Sequence, residues 1–383
     1  MQQRINLKQF LPVMFGFFVM GFIDIVGIAS NYIKQDFQLS DTVANLILMM
    51  VYIWFVLFSI PTGILMGRIG RRKTVVISIV ITSFALFVPI ISYNFITVLL
   101  SLSLLGIGNA MLQVSLNPLV GDIVADSKLA SSLTFGQFVK AISSFLGPVL
   151  AGGAALYFGN WRILFPLLGG ISILATIWLN GVRIEETSHS VEKSSFSDIF
   201  RLLGNFTILG FFIGILFVVG IDVGLNVSIP KYLMLKGNMQ LAEAGLGISL
   251  YFAAKTAGTF FGAILLSRIP VNKFYTVTVI LAIASLAFTL MVHSVTGIYI
   301  GILLLGLTVS NIFSVIFSMA LQHMPSFRNQ ISGLMMMGII GGAIVPLAIG
   351  LVSDSFGQTS GMMVLGICMV YLLWNSLTVK HNK

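Results

Sequence analysis

What most limits the folds open to this chain is the length of its uncharged apolar runs. Between Lys73 and Asp122 no charged side chain occurs. That stretch has room for two helices of roughly 20 residues, the length a bilayer core demands. Apolar runs of this kind fall at about 10–33, 43–66, 74–93, 95–118, 129–157, 162–181, 205–230, 243–267, 274–292, 297–321, 330–352 and 359–378. They divide six and six about the hydrophilic stretch from Arg183 to Arg201. With 57% hydrophobic residues, 9% charged residues and a mean hydropathy of +1.03, the chain carries far more apolar material than a water-soluble globule. The expectation is an all-α membrane protein. Twelve transmembrane helices would form two pseudo-symmetric six-helix bundles, residues 1–181 and 205–383, with a cytoplasmic linker over 182–204. The first run passes Asp24 without an Ala-x-Ala-like cleavage site and reads as a retained span, not a signal peptide.

The net charge of +9 has a use other than nucleic-acid binding. If the N-terminus is cytoplasmic, fifteen lysines and arginines lie on the inner side, and only Lys34, Arg162, Lys231 and Lys236 lie outside. The asymmetry sets both termini in the cytoplasm by the positive-inside rule. The linker is short, serine-rich and mixed in charge, so it reads as a tether with no room for a catalytic domain. The single cysteine, Cys368, lies in the last apolar run, and the four histidines sit at loops or span ends without ligand spacing. Neither a metal site nor a cofactor is expected, and a single chain is expected to act as a monomer in the lipid bilayer.

The two halves look like diverged copies. Leu104 to Gly106 reads LLG, as does Leu304 to Gly306, and the Pro-x-x-x-Gly of Pro148 and Gly152 returns at Pro346 and Gly350. Internal repeats of this kind are a transporter signature. Proline inside a span loosens the helical hydrogen-bond ladder, so Pro148 and Pro346 mark expected bends.

Four ionisable residues fall well inside the spans: Asp24, Lys140, Asp222 and Lys255. Each costs about 2.5–3.5 kcal/mol near the membrane centre on insertion scales unless it faces water or a partner, which makes it a functional candidate. Two acids and two bases can also neutralise one another as structural ion pairs. Asp24 in GFIDIVG and Asp222 in VGIDVG lie in the first span of each half, Asp222 about one helical turn deeper from the Gly-Phe-Phe opening. A carboxylate whose access to water alternates can take up and release a proton, so these two are the candidate proton-coupling groups. Uncharged polar groups cluster beside them, among them Asn31, Asn109, Gln113, Asn117, Gln137, Asn226 and Asn311. Their amides donate and accept together, which suits a hydroxylated solute, although such groups also join helices. Lys140 and Lys255 complete the candidate substrate-binding set. The aromatics Phe18, Tyr52, Trp54, Phe138 and Tyr251 are candidates to stack on a sugar face. The loop with Gly63, Gly67, Arg68, Gly70, Arg71, Arg72 and Lys73 offers turn-forming glycines and cations at the cytoplasmic surface, a candidate conformational element.

Gly63 to Lys73 resembles the loop between helices 2 and 3 of the major facilitator superfamily, with Gly67 where an acid is usual. More narrowly, FGFFVMGFIDIV, the FQLS to GRIGRRK segment, GIGNAMLQVSLNPLV and GQFVKAISSFLGPVLAG make the chain similar to the fucose permease family of sugar and proton symporters. The resemblance implies a major facilitator fold in the bacterial inner membrane, alternating access, a small-molecule substrate and a proton as coupling ion. Gln113 stands where the proton-coupled fucose carrier has glutamate, which implies substrate contact more than protonation. Asp24 lies about one turn before the family's helix 1 acid, whose place Gly27 fills. Lys140 replaces a neutral amide, favouring an anionic sugar derivative or a built-in counter-ion to Asp24. Gly147-Pro148 with Gly152 and Gly153 is similar to the antiporter motif of the superfamily's helix 5, so a proton-coupled exporter is the alternative. An enzyme would show a nucleophile with its base, or a carboxylate and histidine set, and no such cluster is visible.

Overall fold

A computed structural model describes residues 6–39, 41–186, 196–237, 239 and 241–378. The helices in chain order are α1 (Leu7–Met20), α2 (Val26–Asp36), α3 (Asp41–Ile69), α4 (Arg71–Ile91), α5 (Phe95–Ile123), α6 (Asp126–Phe158), α7 (Leu164–Asn180), α8 (Phe196–Arg201), α9 (Phe206–Gly237), α10 (Leu241–Leu266), α11 (Val271–Met291), α12 (Val295–Val309), α13 (Ile312–His323), α14 (Arg328–Met337), α15 (Gly341–Phe356) and α16 (Gln358–Thr378). Several of these join end to end. A 3-10 turn, Gly21–Ile25, links α1 to α2, and another, Gly338–Ile340, links α14 to α15. Among the described residues eleven helical segments are long and apolar enough to cross a membrane, and Ile53–Ile69 is a shorter apolar helix. Large apolar side chains such as Phe84, Leu174, Phe261 and Ile367 are exposed, which lipid accommodates and water does not. The chain is a multi-spanning all-α membrane protein.

The chain divides into two compact units. The first holds residues 1–126, 139–200 and 326–337, and the second holds residues 127–138, 201–325 and 338–383. In the first unit α5 is central, packed on α1, α3 and α4, with α7 against α4 and with α14 against α3 and α5. In the second unit α9 packs on α10, α15 and α16, and α12 packs on α10 and α11. Small residues let these backbones meet. A Cβ on Gly106 would lie 3.0 Å from the Val51 carbonyl oxygen and 2.8 Å from Trp54 Cδ1. A Cβ on Gly306, two hundred residues on, would lie 2.7 Å from the Tyr251 carbonyl oxygen and 2.7 Å from Ala254 Cβ. The LLG repeat thus marks the same kind of close helix approach in both halves, α5 on α3 and α12 on α10.

Neither proline interrupts its helix, α6 at Pro148 or α15 at Pro346. The helix α6 is continuous through Pro148, and in the corresponding span the interruption is Gly338–Ile340, ahead of Pro346. There Gly338 and Gly341 lie on α9, and a Cβ at Gly341 would run into the Leu216 backbone carbonyl. Close approach of two backbones, not a missing amide, sets the position of this break.

Candidate functional site

The first unit builds one polar centre around the break in its first span. Asp24 lies in the turn Gly21–Ile25, which two glycines press against α6. A Cβ on Gly21 would come within 2.7 Å of the Lys140 carbonyl oxygen, and one on Gly147 would overlap Ile25. This approach sets Asp24 beside Lys140 and Ser144. The Ser144 hydroxyl donates to Asp24 Oδ2 at 2.5 Å, and Lys140 Nζ stands 3.8 Å from the same oxygen, too far for a hydrogen bond. Asp24 is 37% exposed and Lys140 is 21% exposed, so neither is sealed in the protein.

Behind this centre runs a ladder of amides on α5. Asn109 donates to the Met20 carbonyl at the end of α1, Gln113 donates to Asn109 Oδ1, and Asn117 donates to the Gln113 carbonyl, all at 2.7–2.8 Å. All three are buried. Asn109 joins α5 to the end of α1, a role polar groups commonly take between membrane helices, while the bonds of Gln113 and Asn117 run back along α5 itself. The side chain of Asn31 lies outside the described residues.

A different centre occupies the second unit. Asp222 sits in the unbroken α9, where the Tyr251 hydroxyl donates to Oδ1 and Lys255 Nζ donates to Oδ2, both at 2.6 Å. Tyr251 is fully buried and serves as a hydrogen-bond donor, not as an open stacking platform. Both tyrosine and lysine come from α10, where Gly306 of α12 packs against their backbone. Asn311 donates to the Gly258 carbonyl at 3.0 Å and to Ser310 Oγ at 2.8 Å, joining the end of α12 to α10. Gln137 and Asn226 are half-buried and have no hydrogen-bond partner among the described residues. Their amide groups are therefore unengaged within the protein. Of the other aromatics, Phe18 packs with Phe15 and Phe22, Trp54 packs on Phe58, and Phe138 packs with Phe135 and Phe260. The side chain of Tyr52 lies outside the described residues.

The loop from Gly63 to Lys73 is organised by acids that the sequence reading passed over. Arg71 is buried, with Nη1 at 2.5 Å from Asp122 Oδ1 and Nε donating to Asn329 Oδ1 at 2.7 Å. Its backbone amide and that of Arg72 donate to the two oxygens of Glu186, at 2.6 and 2.9 Å. Glu186 thus caps the N-terminus of α4 from the linker, where a negative charge complements the helix dipole. Gly70 supplies the turn with φ of 94°. A Cβ there would sit 2.9 Å from the same carboxylate. A Cβ on Gly63 would come 2.9 Å from the Asn329 carbonyl oxygen, so this glycine seats α14 against α3. Gly67 faces open space. Beside these contacts Arg328 pairs with Asp126 at 2.6 Å. Arg68 is exposed.

A further cluster was not foreseen. At the end of α2, Asp36 accepts from the Tyr93 hydroxyl at 2.5 Å and from Trp161 Nε1 at 3.0 Å, with Arg162 at 3.8 Å. The Arg162 guanidinium lies 3.8 Å over the Tyr93 ring, and Tyr32 stacks on Trp161. This clasp anchors the helix that follows the Asp24 turn. Burial, and then the Asp36 carboxylate, raise the Tyr93 phenol above its ordinary range.

Comparison with known proteins agrees with this architecture. The chain is 28% identical over 382 residues to the glucose/galactose transporter of Brucella abortus, covering 94% of this chain and 91% of that one. It is 26% identical over 400 residues to the putative glucose/galactose transporter of Helicobacter pylori, covering 94% of each. The solved structure of FucP in the outward conformation superposes with a TM-score of 0.84 at 18% identity, covering 96% of this chain and 97% of that one, which shows a shared fold. The Major Facilitator Superfamily profile matches residues 13–237, more than half of the sequence, and the chain belongs to that superfamily.

Proposed function

We propose that this protein is a secondary transporter, not an enzyme, which carries a small sugar-like solute together with a proton by alternating access. Relatives aligned over nearly the whole chain are named glucose/galactose transporters, and the E. coli protein of like fold is named a fucose:proton symporter. The reading includes twelve spans in two six-helix bundles, residues 1–181 and 205–383 about the 182–204 linker, membership of the fucose permease family, cytoplasmic termini, a bacterial inner membrane and a monomer. Single cysteines at Ser92 and Ser267 in a Cys368→Ser background test the orientation. The first is to label from outside and the second from inside, and the reverse pattern inverts the topology.

The observation that carries the coupling proposal is the difference between the two acids. Asp222 is fixed by two short donors, whereas Asp24 has one serine hydroxyl and a lysine beyond hydrogen-bond distance. A proton can reach Asp24 without first breaking a charged hydrogen bond. We assign proton exchange to Asp24, and to Asp222 the role of holding Lys255. Gln113, Gln137, Asn226 and Lys140 are the proposed substrate contacts. Asn109, Asn117 and Asn311 shape the helices that carry them. The loop Gly63, Arg68, Gly70 and Arg71 is the proposed conformational element.

Proteoliposomes loaded for a pH gradient test this. Wild-type protein accumulates labelled glucose or galactose when the gradient is imposed, and Asp24→Asn retains counterflow but loses accumulation. Full gradient-driven uptake by Asp24→Asn refutes the assignment, and uptake that follows sodium instead of pH replaces the coupling ion. Gly152 and Gly153 face open space, so no packing observation favours the exporter reading.

A further inference from the structure

We propose that a basic cavity beside the α3–α4 turn is a binding site for the phosphate of an anionic membrane phospholipid. The cavity, about 450 Å³, is lined by Arg68, Arg72, Lys73, Asn180, Val76 and Ile77 among others, and no acidic side chain lines it.

Two of its three cations lack an acid partner among the described residues. Arg71 is taken by Asp122, and the Glu186 carboxylate is taken by the backbone amides of Arg71 and Arg72. Arg68 and Lys73 are exposed and have no hydrogen-bond or ion-pair partner among the described residues. Three cations, Arg71, Arg72 and Lys73, open α4, and its first turn contains no acid. Glu186 occupies the amides at the start of α4, so a phosphate would be held by the side chains of Arg68, Arg72 and Lys73 and not by the helix end. Arg72 is already held in place, because its Nη2 donates to the Asn180 carbonyl at 2.5 Å and caps the end of α7. The donor set is partly fixed before a ligand arrives.

The exposed apolar side chains that continue from the cavity along α4 and α7 identify a lipid as the source of the phosphate. Lys73, Ile77, Val80 and Phe84 recur at helical spacing on one face of α4, and all four are exposed. On α7 the side chains of Leu174, Ile177 and Trp178 are exposed as well. A headgroup seated at Arg68 and Lys73 therefore has an apolar track for its acyl chain directly beneath it. A free phosphate would use the cations and leave this track unused. Cations near an anionic membrane surface attract such lipids strongly enough for site occupancy.

The test uses the purified full-length protein, native mass spectrometry and thermal unfolding, with dioleoyl phosphatidylglycerol, dioleoyl phosphatidylcholine and inorganic phosphate as probes. The variant is Arg68→Gln/Lys73→Gln. The control, Arg268→Gln/Lys273→Gln, removes the same charge from exposed positions in the turn after α10 and the first turn of α11. We expect phosphatidylglycerol to be retained and stabilising in wild type and control. Its affinity should fall about 25-fold in the variant, roughly fivefold for each cation. Equal loss in the control, equal retention of phosphatidylcholine, or full reproduction of the effect by inorganic phosphate would overturn the proposal. Should the variant fail to fold, a photoreactive phosphatidylglycerol on wild-type protein decides. Crosslinks to the Lys73–Phe84 segment support the site, and their absence there refutes it.

Discussion

The two membrane-embedded acid and lysine pairs should differ in energy as they differ in geometry. Lys255 Nζ is 2.6 Å from Asp222, within hydrogen-bond distance, while Lys140 Nζ is 3.8 Å from Asp24. The Coulomb term falls with the inverse of distance, so on that ground alone the tighter pair gains about 1.5-fold over the looser one. The charged hydrogen bond is the larger difference, about 1.5–3 kcal/mol, and only the Asp222 pair has it. All four side chains are 21–37% exposed, so water screens part of each interaction. We expect a coupling energy of about 1–2 kcal/mol for Asp222 with Lys255, and less than about 0.5 kcal/mol for Asp24 with Lys140. Thermal unfolding of the single and double variants in one detergent measures this. Asp222→Asn and Lys255→Gln should each destabilise, and the double variant should be more stable than their sum. Asp24→Asn and Lys140→Gln should add without rescue. Additive behaviour at Asp222 and Lys255, or equal coupling in both pairs, refutes the division of roles between the two acids.

Four further outcomes follow from individual contacts. Asp122→Asn leaves the buried Arg71 guanidinium without its charged partner and should cost about 3–5 kcal/mol, seen as a large fall in Tm. Arg71→Lys should not substitute, since a lysine cannot serve Asp122 and Asn329 with a planar fork. Glu186→Gln removes the charge that caps α4 and should cost about 1 kcal/mol, with faster amide exchange at Arg71 and Arg72 and little change elsewhere. Tyr93 has its phenol raised above the ordinary value of 10.0. Above about pH 10 the unfolded chain loses this proton while the folded chain keeps it, so the stability gained through Tyr93 is full below that pH and declines as pH rises. Tyr93→Phe should flatten the alkaline limb of a Tm against pH curve, and an unchanged limb would exclude this contribution.

Much of the architecture was legible because membrane spans write themselves in long uncharged runs and close helix contacts write themselves in glycine. Gly106 and Gly306 are the clearest instance, each lying against the second helix of its own half. The four embedded ionisable residues were legible for a related reason, since a charge in an apolar run is costly and conspicuous. What could not be read was pairing. Nothing local distinguishes Lys140, left 3.8 Å from its acid, from Lys255, which is hydrogen-bonded to its own. Tyr251 looked like a sugar platform because an aromatic residue in a span gives no sign of where its hydroxyl points. Glu186 was hidden in a stretch whose composition reads as tether, although it holds the α4 terminus from more than a hundred residues away.

The same reasoning explains why the missing acid at Gly67 does not leave the α3–α4 turn unrestrained. Gly67 faces open space, and the acceptors needed to hold the turn arrive from three distant places: the carboxylate of Asp122 at the end of α5, the amide oxygen of Asn329 on α14 and the carboxylate of Glu186 beyond α7. All three converge on Arg71, through its guanidinium and its backbone amide. A restraint spread over three segments is weakened by moving any one of them, whereas an acid within the loop would travel with the loop. Because α14 ends at a 3-10 turn that begins at Gly338, its Asn329 contact is the one attached to a break in the helix.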